Sequence, residues 1–333
     1  MDAPANILLI RLKSIGDVLF TLPAVHRLRE MFPDARITFL TASDNAPLLQ
    51  GFREVNEIFT LDRARFRGGN PLAIASAVFT LLRRLRNGKY SLVVDFQGYG
   101  ETELFAWWSG APERWGNVYH PPRGWSYTHA SLRDKALHPA AWNLALLEAG
   151  GCPAGRPRNE FNLPADALAE AKKFLAANNV NPGAPVLYLQ PFTSNPKKNW
   201  PLEKALDLAQ RWRSRGMQIV FGGGPAERAA LEPARAAGFV VATGNPLLVS
   251  AGLMKLSALV VGADTGLLHL AVALGRRVVM LMRSNAPGTS HPFQHPDWAV
   301  ASPTGIAAAE IPVEAVMAAC EQAVSEPAGN VSC

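Results

Sequence analysis

The chain has 333 residues, 48% hydrophobic and 18% charged, with a formal net charge of +6. That length exceeds one ordinary core and suits two domains, while 27 Gly and 26 Pro scattered without a repeat exclude fibrous, collagen-like and low-complexity chains. The positive charge selects anionic partners: nucleotides, phosphorylated sugars, acidic lipid headgroups or nucleic acid.

Residues 6–12 (NILLIRL) form a short apolar run of buried-strand type. The loop Lys13-Ser14-Ile15-Gly16-Asp17 follows, and then Leu22, Val25, Leu28 and Phe32 at helical spacing. Residues 36–40 and 57–61 are predicted strands, 72–85 a helix and 91–95 (SLVVD) a central strand. Strands alternating with helices, without a two-residue period, imply a parallel sheet covered on both faces. Between 150 and 185 the composition turns to Gly, Pro, Asn and charge around one amphipathic helix, 165–177. The domain junction is placed there, giving domains 1–160 and 161–333.

The same alternation restarts with a strand at 186–190, a helix at 202–213 and a strand at 218–221. Further strands are predicted at 239–242, 258–261 and 277–281, with a closing amphipathic helix at 312–324. The expected architecture is α/β, two Rossmann-like domains with a ligand cleft at the carboxyl ends of their strands. Residues 1–6 carry no basic region of a secretion signal, and no apolar run approaches the roughly 20 residues of a membrane span. Cys152, Cys320 and Cys333 show neither metal-ligand spacing nor a disulfide framework. A cytoplasmic protein with at most peripheral membrane contact is expected.

Four loops at strand ends hold residues suited to chemistry. Gly16 permits close backbone approach, and Asp17 stands at a helix entrance, where the dipole favours a carboxylate. In residues 191–201, Thr193, Ser194 and Lys198 offer the hydroxyls and ammonium that a diphosphate requires, although such a loop also occurs merely solvated. The run Gly222-Gly223-Gly224 lacks both the dinucleotide fingerprint and a Walker lysine, and Glu227 after it suits ribose hydroxyls or a helix's first turn. In residues 261–271, a strand, a tight loop and a helix start carry Asp264, Thr265, Gly266 and His269. There the helix amides suit a diphosphate, but Asp264 or Thr265 also suits a plain cap, and His269 a core histidine.

Taken in order, Ile15-Gly16-Asp17-Val18 with Thr21-Leu22-Pro23-Ala24, residues 92–98 (LVVDFQG), Gly223-Gly224-Pro225-Ala226-Glu227 and Asp264-Thr265-Gly266 with His269 and Ala271 resemble glycosyltransferase family 9, the lipopolysaccharide heptosyltransferases. The resemblance implies a GT-B fold, an acceptor-binding N-terminal domain, a nucleotide-sugar-binding C-terminal domain and inversion at the anomeric carbon. It implies Asp17 as general base, and Thr193, Ser194 and Lys198 as the diphosphate loop. Glu227 falls near the nucleoside, and Asp264, Thr265, Gly266 and His269 form the donor signature. Gly16, Arg63, Arg65 and Arg67 fall on the acceptor side, where arginine suits bidentate phosphate recognition; a solvated basic loop is the other reading of these arginines.

The implied substrates are ADP-heptose, as donor rather than cofactor, and a lipid-linked or phosphorylated glycan at the inner membrane surface, with no metal required. A departure occurs where the family carries a Gly-Pro-Thr turn, since Met280-Leu281-Met282-Arg283-Ser284-Asn285 stand there and bear on the donor pocket. For Trp107-Trp108, Trp115 and residues 118–120 ordinary burial is the expectation, with sugar stacking the other. A sugar-nucleotide epimerase or a non-catalytic nucleotide-sugar binder would share the scaffold; Asp17, Lys198 and Asp264 together favour transfer. No basic recognition helix points to nucleic acid.

Overall fold

The computed structural model describes residues 4–62, 70–121 and 123–325. The chain divides into two compact units, Met1–Arg158 and Asn159–Cys333. In the first, strands β1 (Asn6–Ile10), β2 (Arg36–Ala42), β3 (Glu57–Leu61), β4 (Leu92–Asp95), β5 (Glu113–Val118) and β6 (His129–Leu132) form one sheet in the order β3-β2-β1-β4-β5-β6. Every pairing is parallel. A parallel sheet needs both faces covered, which explains why Ile7, Leu8, Leu9 and Ile10 of β1 are all fully buried.

Helices α1 (Ile15–Leu19), α2 (Leu22–Met31), α3 (Pro71–Asn87), α4 (Gly100–Trp108) and α5 (Pro139–Ala149) supply the cover. Leu81 and Leu85 of α3 and Ala106 of α4 join Leu8, Ile10 and Val93 in one core.

The second unit repeats the scheme with β7 (Val186–Gln190), β8 (Gln218–Gly223), β9 (Val240–Thr243), β10 (Leu259–Ala263), β11 (Val278–Met282) and β12 (Ala299–Ala301), ordered β12-β11-β10-β7-β8-β9. Counted within each unit, both sheets have the order 3-2-1-4-5-6. The order in which successive strands are added therefore reverses between β1 and β4 and between β7 and β10, while the strands stay parallel. Open α/β sheets bind ligands at the carboxyl ends of the strands flanking such a switch.

Helices α6 (Ala165–Ala177), α7 (Leu202–Arg213), α8 (Glu232–Ala236), α9 (Leu247–Leu256), α10 (Gly266–Ala273) and α11 (Val313–Ser325) complete this unit. The small Ala167 and Ala171 of α6 lie directly over Gly252 of α9, so these two helices approach closely. On the other face Trp200 is 1% exposed and donates its Nε1–H to the Ile311 carbonyl at 3.1 Å, which ties the 191–201 loop to the segment before α11. The expected strands and helices are present. Beyond them the structure adds β5, β6, β12, α4, α5, α8 and α9, for which the sequence pattern offered no separate element, and the expected loop at 13–17 already turns into the short helix α1 from Ile15.

The expectation of burial holds for Trp115 but not for Trp107 and Trp108, which are 48% and 41% exposed on the outer side of α4. Among the described residues no helix is long and apolar enough to cross a membrane, and Cys152 and Cys320 are buried free thiols.

At the second switch point Gln190 pairs with Gly262. A Cβ on Gly262 would strike the Gln190 carbonyl oxygen and lie 3.0 Å from its carbonyl carbon, both rigid backbone. Gly262→Ala is expected to lower stability by about 1–3 kcal/mol, the usual cost of overpacking a tight core. Urea unfolding of wild type and variant checks this; equal midpoints would show that the strands separate without cost.

Candidate active site

Each switch point carries a carboxylate just past the first strand or the fourth. In the first unit, β1 ends in the loop that starts α1, and Asp17 lies in that helix's first turn. Its Oδ2 accepts the Ser14 backbone N–H at 2.9 Å and the Ser14 hydroxyl at 3.2 Å, so Asp17 does cap the helix. Its Oδ1 meets the Arg11 guanidinium at 2.9 Å, and the Asp17 side chain stays 37% exposed while that of Arg11 is 8% exposed. The carboxylate is thus oriented from below and open above. Gly16 beside it is only partly covered.

Arg11 directly follows the apolar strand β1 and sits inside the run 6–12, which is why the pattern disguised it. Burial opposes its charge, yet Asp17 and a hydrogen bond with Tyr119 more than offset that, raising its pKa above the ordinary arginine value. A second Arg11 bond, 2.5 Å to the Phe96 carbonyl, anchors the guanidinium to the loop after β4.

That loop is fixed by Asp95. The buried carboxylate accepts N–H bonds from Gln97 and Gly98 at 2.8 and 3.1 Å and the Tyr127 hydroxyl at 2.6 Å. Burial pushes the Asp95 pKa upward. Gln97 in turn accepts the Leu12 N–H at 3.1 Å, joining the ends of β1 and β4. The residues 92–98 therefore serve as a brace for the Asp17 loop.

Lys13 stands 5.5 Å from the Tyr99 ring, and Arg133 lies 5.2 Å from the Tyr119 ring. With Arg11 they make this end of the sheet basic, although Arg11 and Arg133 were not among the candidates and Lys13 was named only as part of its loop. Arg63, Arg65 and Arg67 lie outside the described residues.

In the second unit Asp264 follows β10. Its Oδ2 binds Lys198 Nζ at 2.7 Å, and its Oδ1 lies 3.1 Å from His269 Nε2. The Ser290 hydroxyl approaches both oxygens, at 3.4 and 3.3 Å. His269 sits one turn into α10 and is 6% exposed, so the sequence alternatives merge: it is a buried histidine with a satisfied ring, and its partner is the candidate residue. Burial by itself would raise the Asp264 pKa; His269 and Lys198 outweigh it and hold the value at about 2.

Thr265 caps α10, its Oγ1 accepting the Leu268 N–H at 3.4 Å, and Gly266 opens the helix. The first-turn amides precede the helical hydrogen-bond ladder and suit an anion. Ser290 was missed in the sequence because it belongs to the loop after β11, where the chain leaves the expected turn pattern.

The remaining residues are placed less centrally. Thr193 donates its hydroxyl to the Asn195 carbonyl at 2.7 Å and accepts the Asn195 N–H at 3.0 Å, which shapes the loop carrying Lys198. Ser194 is exposed. Glu227 follows the end of β8, with a carboxylate folded so close over Gly224 that a Cβ there would meet it at 2.7 Å. Among the described residues no three His, Cys, Asp or Glu side chains gather as a metal-binding group.

Two Rossmann-like units, each with a polar cluster at its switch point, make up the GT-B architecture, which glycosyltransferases share with sugar-nucleotide epimerases. The family model for glycosyltransferase family 9 (heptosyltransferase) matches residues 78–311, and the chain belongs to that family. It is 21% identical over 305 residues to the lipopolysaccharide core heptosyltransferase OpsX of Haemophilus influenzae, covering 89% of this chain and 84% of the relative.

Among solved structures, the family 9 glycosyl transferase of Veillonella parvula superposes with a TM-score of 0.85 at 21% identity, over 97% of this chain and 98% of that one. Escherichia coli heptosyltransferase WaaC with ADP-2-deoxy-2-fluoro heptose gives 0.76 at 21% identity, over 95% and 99%. At such identity these structures speak for the fold.

The Asp264 cluster has a pH signature. Its folded-state pKa of about 2 lies below the ordinary 3.8. The carboxylate therefore contributes stability above about pH 4, and this contribution is lost as the pH falls toward 2. The difference corresponds to about 2 kcal/mol. Asp264→Asn is expected to be less stable than wild type at neutral pH, with the gap closing below pH ~3. Urea midpoints across that range measure it; parallel profiles would show that the carboxylate is not held by His269 and Lys198.

Proposed function

We propose that this glycosyltransferase moves heptose from ADP-heptose onto a lipopolysaccharide core or related surface glycan, with inversion, at the cytoplasmic face of the inner membrane. The observation that carries the donor half is the Lys198–Asp264–His269 cluster beside the start of α10. A leaving diphosphate gains negative charge as the glycosidic bond breaks. An ammonium and helix amides already in place stabilise that charge without reorganising. Lys198 is 45% exposed at its side chain, so it can turn from Asp264 to a phosphate while His269 and Ser290 keep the carboxylate satisfied.

The acceptor half rests on Asp17. In this reading its carboxylate takes the proton of the acceptor hydroxyl as that oxygen attacks the anomeric carbon, and the ADP leaves from the opposite face. A single displacement inverts the centre. Arg11 and the Ser14 amide fix the carboxylate's direction, and Arg11, Lys13 and Arg133 supply positive charge toward an anionic acceptor. The heptosyltransferase names of the relatives support heptose as the sugar, and the WaaC complex supports ADP as the nucleotide. No metal or cofactor is assigned a role in the step.

Asp17→Asn keeps an oxygen that accepts the Ser14 N–H but removes the proton acceptor. The variant is expected to lose about two to four powers of ten in transfer rate. It should lose only about 1–2 kcal/mol of stability and bind ADP as wild type does. Rate, unfolding and nucleotide titration on one preparation check this; normal specific activity would restrict Asp17 to capping α1.

Lys198→Ala is expected to weaken ADP binding by about tenfold or more, the value of one charge-assisted bond. Calorimetric titration measures it, and wild-type affinity would remove Lys198 from the donor site.

A further inference from the structure

One surface of the first unit is not used by the reaction. Leu104, Trp107 and Trp108 stand at i, i+3 and i+4 on α4, so they share one helix face, and that face points outward at 43%, 48% and 41% exposure. Trp125, from the loop after β5, joins them at 64% exposure. Its ring lies 5.9 Å from that of Trp107, which is 6.1 Å from Trp108. Contiguous exposed apolar surface of this kind marks an interaction site.

The cluster is built, not incidental. Glu103 of α4 is 3% exposed, and its carboxylate accepts the N–H groups of Gly124 and Ser126 at 2.8 and 3.3 Å, gripping the residues on both sides of Trp125. Ser126 returns a bond from its hydroxyl to the Glu103 carbonyl at 3.1 Å. Arg114 adds a 2.6 Å bond to the Ser126 carbonyl. Buried polar bonds thus hold an indole out into solvent.

Two arginines flank the patch: Arg86 lies against Gly110 just past the end of α4, and Arg123 is exposed two residues before Trp125. Arg84 is committed to Glu57 at 2.9 Å. On the acidic side, Glu101 is exposed in the first turn of α4, while Glu103 is occupied by the loop. On α3, the helix packed beside α4, Leu72 and Phe79 are exposed at 79% and 66%.

Indole rings are apolar bodies with a polar edge and favour the headgroup level of a bilayer, and arginines beside them favour anionic lipid. We infer that this face is a membrane-docking surface, which seats Trp107, Trp108 and Trp125 in the headgroup region of an anionic bilayer. The surface deepens the reading of a lipid-linked acceptor and rests on it only for its purpose: it would hold the first unit where such an acceptor lies. The absence of a spanning helix among the described residues agrees with peripheral seating.

The test uses the full chain with phosphatidylcholine vesicles, with and without phosphatidylglycerol, in the absence of donor and acceptor. Wild type is expected to sediment with the phosphatidylglycerol vesicles, with a blue shift of its tryptophan emission. The Trp107→Ser/Trp108→Ser/Trp125→Ser variant should bind them on the order of tenfold or more weakly, and Arg86→Gln/Arg123→Gln should weaken binding mainly at low salt.

Circular dichroism and ADP titration verify that the tryptophan variant is folded, and the single Trp125→Ser variant gives a graded loss if the triple variant is not. No vesicle binding by wild type, equal binding by the folded tryptophan variant, or a wild-type dimer that the variant dissolves without any vesicle binding would each overturn the inference. Transfer to a deacylated, water-soluble acceptor is measured in parallel. It should be unchanged in the tryptophan variant, and its absence in wild type would count against the proposed function and not against the docking surface.

Discussion

The Asp264 carboxylate is the point on which the second unit's loops converge. Lys198 arrives from the loop after β7, His269 from α10 and Ser290 from the loop after β11, so three separate stretches of chain are ordered by one acidic group. A carboxylate as buried as this one costs several kcal/mol to desolvate unless it is paired. Partners are thus required, and His269, Ser290 and Lys198 share that task, with Lys198 resting on Oδ2. The parallel topology makes the convergence possible, because it brings the carboxyl ends of β7, β10 and β11 side by side.

The first unit uses the same strand order for a different electrostatic result. Asp17 also sits beside a cation, but Arg11 approaches from the buried side and leaves the outward face of the carboxylate open. Asp264 is enclosed by three partners, whereas Asp17 has a guanidinium and a serine. One arrangement suits a fixed structural charge that hands its lysine to a phosphate; the other suits a group that must meet a hydroxyl. A repeated fold thereby holds two carboxylates in unlike surroundings, set by what lies on each side of them.

Much of the fold was legible because buried parallel strands announce themselves as short continuous apolar runs, as in residues 6–12 and 258–261. The elements that escaped have physical reasons. β5 (ERWGNV) carries charge at its start and Trp115 inside, with no run or alternation to mark it. α5 is apolar nearly all round, so it has little helical stripe. Of the candidate residues, Asp17, Lys198, Asp264 and His269 were proposed from loop position and family resemblance, and the structure gathers the last three in one cluster. Arg11 and Ser290 were not: the first looks like a charge interrupting a strand, and the second reaches Asp264 only through folding across 26 residues. Trp107 and Trp108 were expected inside on the strength of size alone, and residue type says nothing of which helix face the core requires.

The central claim is a single inverting displacement, and the product's stereochemistry tests it most directly. The enzyme would be given α- or β-configured ADP-heptose of known anomeric purity and a deacylated acceptor glycan, and the new linkage read from its one-bond carbon–proton coupling by NMR. The account predicts one heptose added per ADP released, with the anomeric configuration opposite to that of the donor. Retention of configuration, or an ADP-heptose that is epimerised or left intact while the acceptor is unchanged, would contradict it.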